Sequence, residues 1–365
     1  MRAAVIEAFN EGYQICDIER PPSPKGQDVL IEVLAASYCH TDQVFASGAL
    51  SQQLPRIGCH EFAGKVVELG PNVSPALRLS VGTQVGVPGR AYHPCGECYE
   101  CKQPSKDVKG YSPYCPHAKN LGLTAHGGFQ EYVLADSRQL APIPAPLTAF
   151  ETAPLMCAGL TIWAALQRPE ILDAKKIALI GAGGGLGHLG VQFTAHLGYH
   201  LLAVESGDAS MQLLQAVVQS LGPVADNIVV QDARTATAKD MLGRMNEDAP
   251  QGVVGEQGVD AVIMLPESQA AMNMGMELLK NHGTMVVVSF PKQGFNISAN
   301  DLVFRDIRVV GSLVGRNHQL REMLSFAAKF NIRATSKSFA LDELNSLCAE
   351  YRKNAGGKFV IDMKK

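Results

Sequence analysis

Long apolar runs are missing from this chain. Segments such as Ala261–Leu265 and Met285–Val288 fall far short of the ~20 residues that cross a bilayer, so no membrane partner is expected. A basic excess is missing too. Lys and Arg number 32 against 35 Asp and Glu, for a formal net charge of -3, which leaves nothing to neutralise a phosphate backbone and argues against nucleic acid. The first residues hold no apolar stretch of signal-peptide length, and Met363-Lys364-Lys365 is not a peroxisomal tripeptide, so the expected location is cytoplasmic. Internal repeats and low-complexity tracts are absent as well. Charged residues reach only 18%, below the ~25% of an average soluble protein, so much of the chain must be buried.

What is present is length and apolar content. The 365 residues, 46% of them hydrophobic, exceed what one core usually organises and predict two domains rather than a disordered chain. Up to about residue 150 the sequence reads as short strands, among them Val29–Leu34, Gly64–Leu69 and Gln84–Val87, broken by Gly and Pro turn signals. Pro142-Ile143-Pro144-Ala145-Pro146 then stiffens the chain ahead of an expected junction. Beyond it, apolar runs alternate with helix-length segments. Strands are expected at Ile177–Ile180, Leu201–Val204, Asn227–Val230, Asp260–Leu265, Thr284–Ser289 and Ile307–Val310, with helices at Leu186–Leu197, Ser210–Leu221, Ala238–Glu247 and Ser268–Lys280. Six alternating strands predict an α/β double winding of the dinucleotide-binding kind. A later helix, Leu320–Lys329, and a last strand, Lys358–Ile361, are expected to return to the first half.

The first strand-to-helix turn reads Gly181-Ala182-Gly183-Gly184-Gly185-Leu186-Gly187. Glycines suit a sharp turn whose amides approach a pyrophosphate at a helix N-terminus. Glu205 closes the next strand 18 residues after Gly187, near the spacing of an acid that holds the ribose 2′-hydroxyl. Its charge repels a 2′-phosphate, and Ser206-Gly207-Asp208 supplies no base to hold one, so NAD is favoured over NADP.

Nine cysteines are an odd number, which suits metal binding in a reducing compartment better than a disulfide framework. Cys95, Cys98, Cys101 and Cys115 match the four-thiolate shell of a closed structural zinc site. His93 and His117 flank them and are read as loop residues. Three further segments, Cys39-His40-Thr41-Asp42, Gly58-Cys59-His60-Glu61 and Met156-Cys157-Ala158-Gly159, each carry a soft ligand. Two Cys and one His with a fourth position open is a catalytic zinc arrangement. The H-E-x-x-H protease pattern fails, because Gly64 stands where its second histidine belongs.

Together with Gly127-Gly128-Phe129-Gln130-Glu131-Tyr132 and Cys157-Ala158-Gly159-Leu160-Thr161, these segments resemble the zinc-dependent medium-chain dehydrogenases/reductases, and within them the yeast-type alcohol dehydrogenases. The resemblance runs nearly end to end. It implies a β-rich GroES-like catalytic domain at 1–155, a Rossmann NAD-binding domain at 156–315 and a C-terminal return at 316–365. It makes Cys39, His60 and Cys157 the catalytic zinc ligands, Glu61 a carboxylate able to approach the metal, and Asp42 the acceptor that orients His60. Thr41 is expected to hold the substrate hydroxyl. His40 and Lys358 are expected on the cofactor pyrophosphate, beside Gly181, Gly183, Gly184, Gly185, Leu186 and Gly187, with Glu205 on the ribose. The implied cofactors are two zinc ions per chain, one catalytic and one structural, and NAD. The implied partners are a small alcohol and its aldehyde or ketone, and further copies of the chain in a dimer or tetramer.

Three departures qualify the resemblance. Thirteen residues separate Cys101 from Cys115, more than the family's usual spacing, which can displace the fourth ligand. Val44 stands where yeast-type enzymes carry a proton-relaying histidine. In the substrate region, Gly89-Arg90-Ala91-Tyr92 lacks the tryptophan typical of enzymes for very small alcohols, which implies a wider pocket. A non-redox isomerase or cyclase on the same fold is the alternative reading.

Overall fold

Apolar residues fill nearly every position of Asp28–Tyr38, the pattern of a strand covered on both faces. The computed structural model describes all residues except 51–52, 105–106, 108–110, 247–256 and 354–355. In it this strand is the centre of a seven-stranded sheet. The order runs Ser336–Phe339, Lys358–Asp362, Asp28–Tyr38, Glu61–Leu69, Gln84–Pro88 and Ala141–Pro142, with Tyr132–Asp136 pairing on Asp28–Tyr38. Strand Lys358–Asp362 runs antiparallel to the central strand, Phe359 facing Tyr38. This registry brings a residue near the C-terminus to the segment that opens into Cys39. A three-stranded sheet formed by Gln14–Asp17, Arg2–Ile6 and Arg56–Ile57 adds to the same unit. Its core includes Tyr38, Phe45, Phe62 and Phe129, with Tyr13 edge-on to Phe129 at 5.6 Å. This unit comprises Met1–Leu160, Gly315–Lys353 and Lys358–Lys365.

A second compact unit is built mainly from Thr161–Val314. Its parallel sheet has the order Ile228–Asp232, His200–Glu205, Lys176–Ile180, Val259–Met264, Leu279–Val287 and Arg308–Gly311, the winding of a dinucleotide-binding fold. All six expected strands form. The helix expected through Lys280 ends at Leu278, because Leu279 takes an extended backbone and pairs with Val259. Helix Ala238–Met245 ends at its C-cap Asn246, and Glu247 lies outside the described residues. Among the described residues no single helix is long and apolar enough to cross a membrane.

Candidate metal and cofactor sites

The central strand ends at Tyr38, and Cys39 then caps helix His40–Ala46. Asp42 lies in the first turn of that helix, fully buried, and its carboxylate collects three donors. Oδ2 accepts from the Cys39 backbone N at 3.0 Å; Oδ1 accepts from the Cys59 N at 3.1 Å and from His60 Nδ1 at 3.2 Å. A carboxylate accepts only, so Nδ1 donates to Asp42 and Nε2 is the ring nitrogen left to face a metal. That Nε2 atom is buried without a partner. Cys59 is left-handed at φ 76°, an uncommon conformation for a non-glycine residue, and this turn precedes the imidazole.

Cys39 Sγ and Cys157 Sγ lie 4.0 Å apart, and the donor atoms of Cys39, His60 and Cys157 all fall within 4.8 Å of one another. Two thiols and an imidazole whose buried Nε2 makes no hydrogen bond are the donor set of an open zinc site, so the residues fit the metal. The Cys157 thiol and the buried Lys358 ammonium hold Cys39 well below its ordinary range, against the effect of burial. Glu61 follows His60 and is fully buried. Burial, with Cys39 beside it, pushes its carboxyl up to about 7 even though Lys358 opposes the shift. Its Oε1 is bonded to Lys358 Nζ, which also donates to the Tyr38 carbonyl at 3.0 Å; its Oε2 is buried and unpartnered. Lys358, expected on a pyrophosphate, is thus only 4% exposed and paired within this unit. Sequence reasoning missed that pair, since nothing local announces a strand pairing of such long range. Thr41 Oγ1 stands 3.9 Å from Cys39 Sγ, and His40 is exposed at the helix start.

The other four thiols also converge. Cys95, Cys98, Cys101 and Cys115 place their sulfurs within 4.8 Å of one another, so the longer loop does not carry Cys115 away. The Cys98 backbone N donates to Cys95 Sγ at 3.4 Å and the Cys95 N to Cys115 Sγ at 3.3 Å, an arrangement that favours thiolates. Backbone N–H groups of Glu97 and Cys98 bring Cys95 down to about 6. His93 bonds Asp28 at 2.7 Å and is not one of the clustered ligands.

In the second unit the glycine-rich turn joins strand Lys176–Ile180 to helix Gly187–Leu197. A Cβ at Gly183 would sit 1.9 Å from the Ser210 carbonyl oxygen and one at Gly187 2.0 Å from that of Gly181, itself at φ +82°. These three positions demand glycine, whereas Gly184 would meet only an ordinary contact at 3.4 Å. Glu205 is buried. Its Oε2 accepts from Gly183 N at 2.9 Å, and its Oε1 from Ser206 N at 2.7 Å and Gly207 N at 3.1 Å. The acid therefore braces the turn as well as ending the strand, a second task that spacing alone does not reveal.

Residues 25–145 match the family model of the alcohol dehydrogenase GroES-like domain, and residues 185–329 that of the zinc-binding dehydrogenases. An alcohol dehydrogenase of Geobacillus stearothermophilus is 31% identical over 369 residues, covering 100% of this chain and 99% of the relative. The crystal structure of the alcohol dehydrogenase from Aeropyrum pernix superposes with a TM-score of 0.82 at 24% identity, over 99% of this chain and 100% of that one. Acetophenone reductase from Geotrichum candidum, solved in complex with NAD, gives 0.78 at 23% identity over 99% and 96%.

Proposed function

Because the chain belongs to the alcohol dehydrogenases of the zinc-type medium-chain dehydrogenase/reductase family, we propose that it interconverts an alcohol and its aldehyde or ketone at the Cys39, His60 and Cys157 site, with NAD as hydride carrier. The observation that carries the reading is the convergence of those three donors around an imidazole whose Nε2 has no other partner. Zinc bound there supplies a Lewis acid that stabilises negative charge on the substrate oxygen, and the nicotinamide supplies the hydride acceptor.

The protein's residues do the rest. Asp42 fixes the tautomer and direction of His60, and a carboxylate partner of this kind also raises ligand basicity. Thr41, beside Cys39, holds the substrate hydroxyl and passes its proton outward. Glu61 keeps an unpartnered oxygen and would be a carboxylate able to approach a bound zinc. Gly181, Gly183, Gly184, Gly185, Leu186 and Gly187 with the helix N-terminus receive the pyrophosphate, and the resemblance assigns His40 and Lys358 to the same group. Glu205 takes the ribose hydroxyls and selects NAD. The four-cysteine site closes its loop as a structural zinc centre.

The same reading makes the enzyme a cytoplasmic homo-oligomer, dimer or tetramer. The nine free cysteines support a reducing compartment, and the exposed Val303 and Phe304 support a self-association surface. No observation favours the isomerase or cyclase alternative. Incubation with NAD and a panel of primary, allylic and benzylic alcohols, followed by NADH absorbance, tests the reading. Zinc-dependent reduction of NAD is expected; silence across the panel with fully metallated protein would overturn it.

A further inference from the structure

We propose that Arg234 is the cation placed to receive a 2′-phosphate on the adenosine ribose, and that Asp208 and Asp232 withhold it, so that selection of NAD depends on a neutralised arginine as well as on Glu205. The ion pairs stand independently of the dehydrogenase reading; their meaning for the cofactor rests on it.

Ser206-Gly207-Asp208 contains no base, but the fold brings one from the neighbouring strand. Glu205 ends strand His200–Glu205 and Asp232 ends strand Ile228–Asp232, and the two are register partners in the parallel pair. The Ala233 N donates to the Glu205 carbonyl at 2.9 Å, which holds the chain beside Glu205 as it leaves the sheet. From there Arg234 Nη1 donates to Asp208 Oδ1 at 2.5 Å. Asp208 opens helix Asp208–Leu221 and follows Gly207, whose N bonds Glu205 Oε1 at 3.1 Å. The arginine is thus tied on both sides, through Ala233 and through Asp208, to segments that touch Glu205.

One of its two acids would be enough to seat it. Asp232 Oδ1 accepts from the Arg234 backbone N at 2.9 Å and from its Nε at 3.0 Å, and Oδ2 accepts from Nη2 at 2.7 Å. The same two-residue spacing recurs in the first unit, where Asp136 takes the backbone N of Arg138 at 2.9 Å, its Nε at 2.9 Å and its Nη2 at 2.6 Å. There a single aspartate fixes the side chain. Asp208 is therefore surplus to the seating of Arg234, and what it does is occupy Nη1. Glu205, Asp208 and Asp232 outnumber the one guanidinium among them, so this corner of the unit repels a phosphate.

The hold of Asp208 is also easily released. Its side chain is 83% exposed and that of Arg234 46%, and exposed ion pairs of this kind are weak. A guanidinium offers a planar fork that matches phosphate oxygens. Loss of the Asp208 charge alone should then turn Arg234 toward a 2′-phosphate while Asp232 still seats it. A clamp that merely pins the start of the helix would have no effect on which nucleotide binds.

Calorimetric titration of the zinc-loaded protein with ADP-ribose and with 2′-phospho-ADP-ribose tests this in the parent, Asp208→Asn, Arg234→Gln and the double variant. The ratio of kcat/KM for NADP over NAD in the same proteins is a second readout. The parent should prefer ADP-ribose, and Asp208→Asn should narrow that preference about tenfold, near the lower end for a hydrogen bond to a charged group. The gain should vanish when Arg234→Gln is added, and Arg234→Lys in its place should keep part of it. A long-range effect of charge would add the same gain in either background. A gain that survives Arg234→Gln, no gain in Asp208→Asn, or a parent that binds both nucleotides equally would overturn the proposal. Binding of ADP-ribose with an unmoved ratio refutes the proposal and leaves the dehydrogenase reading intact, whereas a parent that binds neither nucleotide refutes both.

Discussion

Asp42 Oδ1 and His60 Nδ1 lie 3.2 Å apart in a buried contact, and this contact decides which nitrogen of the imidazole is left for a metal. The same carboxylate ties down the backbone N–H groups of Cys39 and Cys59, so one side chain fixes one metal ligand directly and the segments that carry both. Asp42→Asn should therefore weaken zinc binding at the open site by about 10–100-fold, as loss of such a partner typically does, with the four-cysteine site unaffected. Competition against a chromophoric chelator measures it; unchanged affinity would show that Asp42 does not orient the zinc ligand.

Two zinc ions per chain are expected, with unlike roles. Cys157→Ser should lose one equivalent of metal and all turnover while the fold persists. Cys98→Ser should lose the other equivalent and lower thermal stability, because a closed site contributes folding energy. Metal analysis with thermal unfolding of both variants checks this, and a parent protein holding one zinc or none would contradict it.

Glu205 should select NAD. Glu205→Gly with Ser206→Arg removes the repulsion and adds a phosphate partner, and should shift the ratio of kcat/KM toward NADP. The substitution also strips three backbone donors of their acceptor, so a fall in stability is expected beside the switch. A parent enzyme that already prefers NADP would show the assignment to be wrong.

The fold was legible where period and spacing carry information. All six strands of the parallel sheet follow from apolar runs bounded by turns, and the two thiol clusters from ligand chemistry. The pair Lys358 and Glu61 was not legible, because it depends on a strand almost 300 residues away in sequence pairing beside Tyr38. Nor was the full task of Asp42 or Glu205. Sequence spacing names a carboxylate for a ring or a ribose, but only the folded backbone shows which N–H groups it must also satisfy. The left-handed turn at Cys59 escaped notice for a related reason, since cysteine gives no signal of positive φ.

Acid should unfold the second unit partly through Asp260. Burial disfavours its charge, but the Lys176 N at 2.8 Å, Lys280 Nζ at 2.5 Å and the Lys175 N at 2.7 Å outweigh that and hold the carboxyl below its usual range. The folded pKa is thus below the unfolded value of about 3.9, so the stabilisation is complete above that value and is lost as pH falls through the folded one. The stability gap between parent and Asp260→Asn should stay constant from neutral pH to about pH 5 and shrink below it. Urea titrations across that range test the sign; a gap that widens on acidification would refute it.

Val44 lies three residues after Thr41 on helix His40–Ala46, on the same face, and carries no proton. Val44→His should add a relay, worth up to ~10²–10⁴-fold where proton release limits turnover. The gain in alcohol oxidation should titrate near ~6.5. A flat response at every pH would mean that hydride transfer or cofactor release sets the rate.

Transfer of label from a carbinol-deuterated alcohol to NAD reads out hydride transfer at the Cys39, His60 and Cys157 site itself. One deuterium is expected at C4 of the nicotinamide in the product NADH, with none exchanged into solvent, and Cys157→Ser should lose the transfer. Deuterium released to water, or product formed without reduction of NAD, would contradict it.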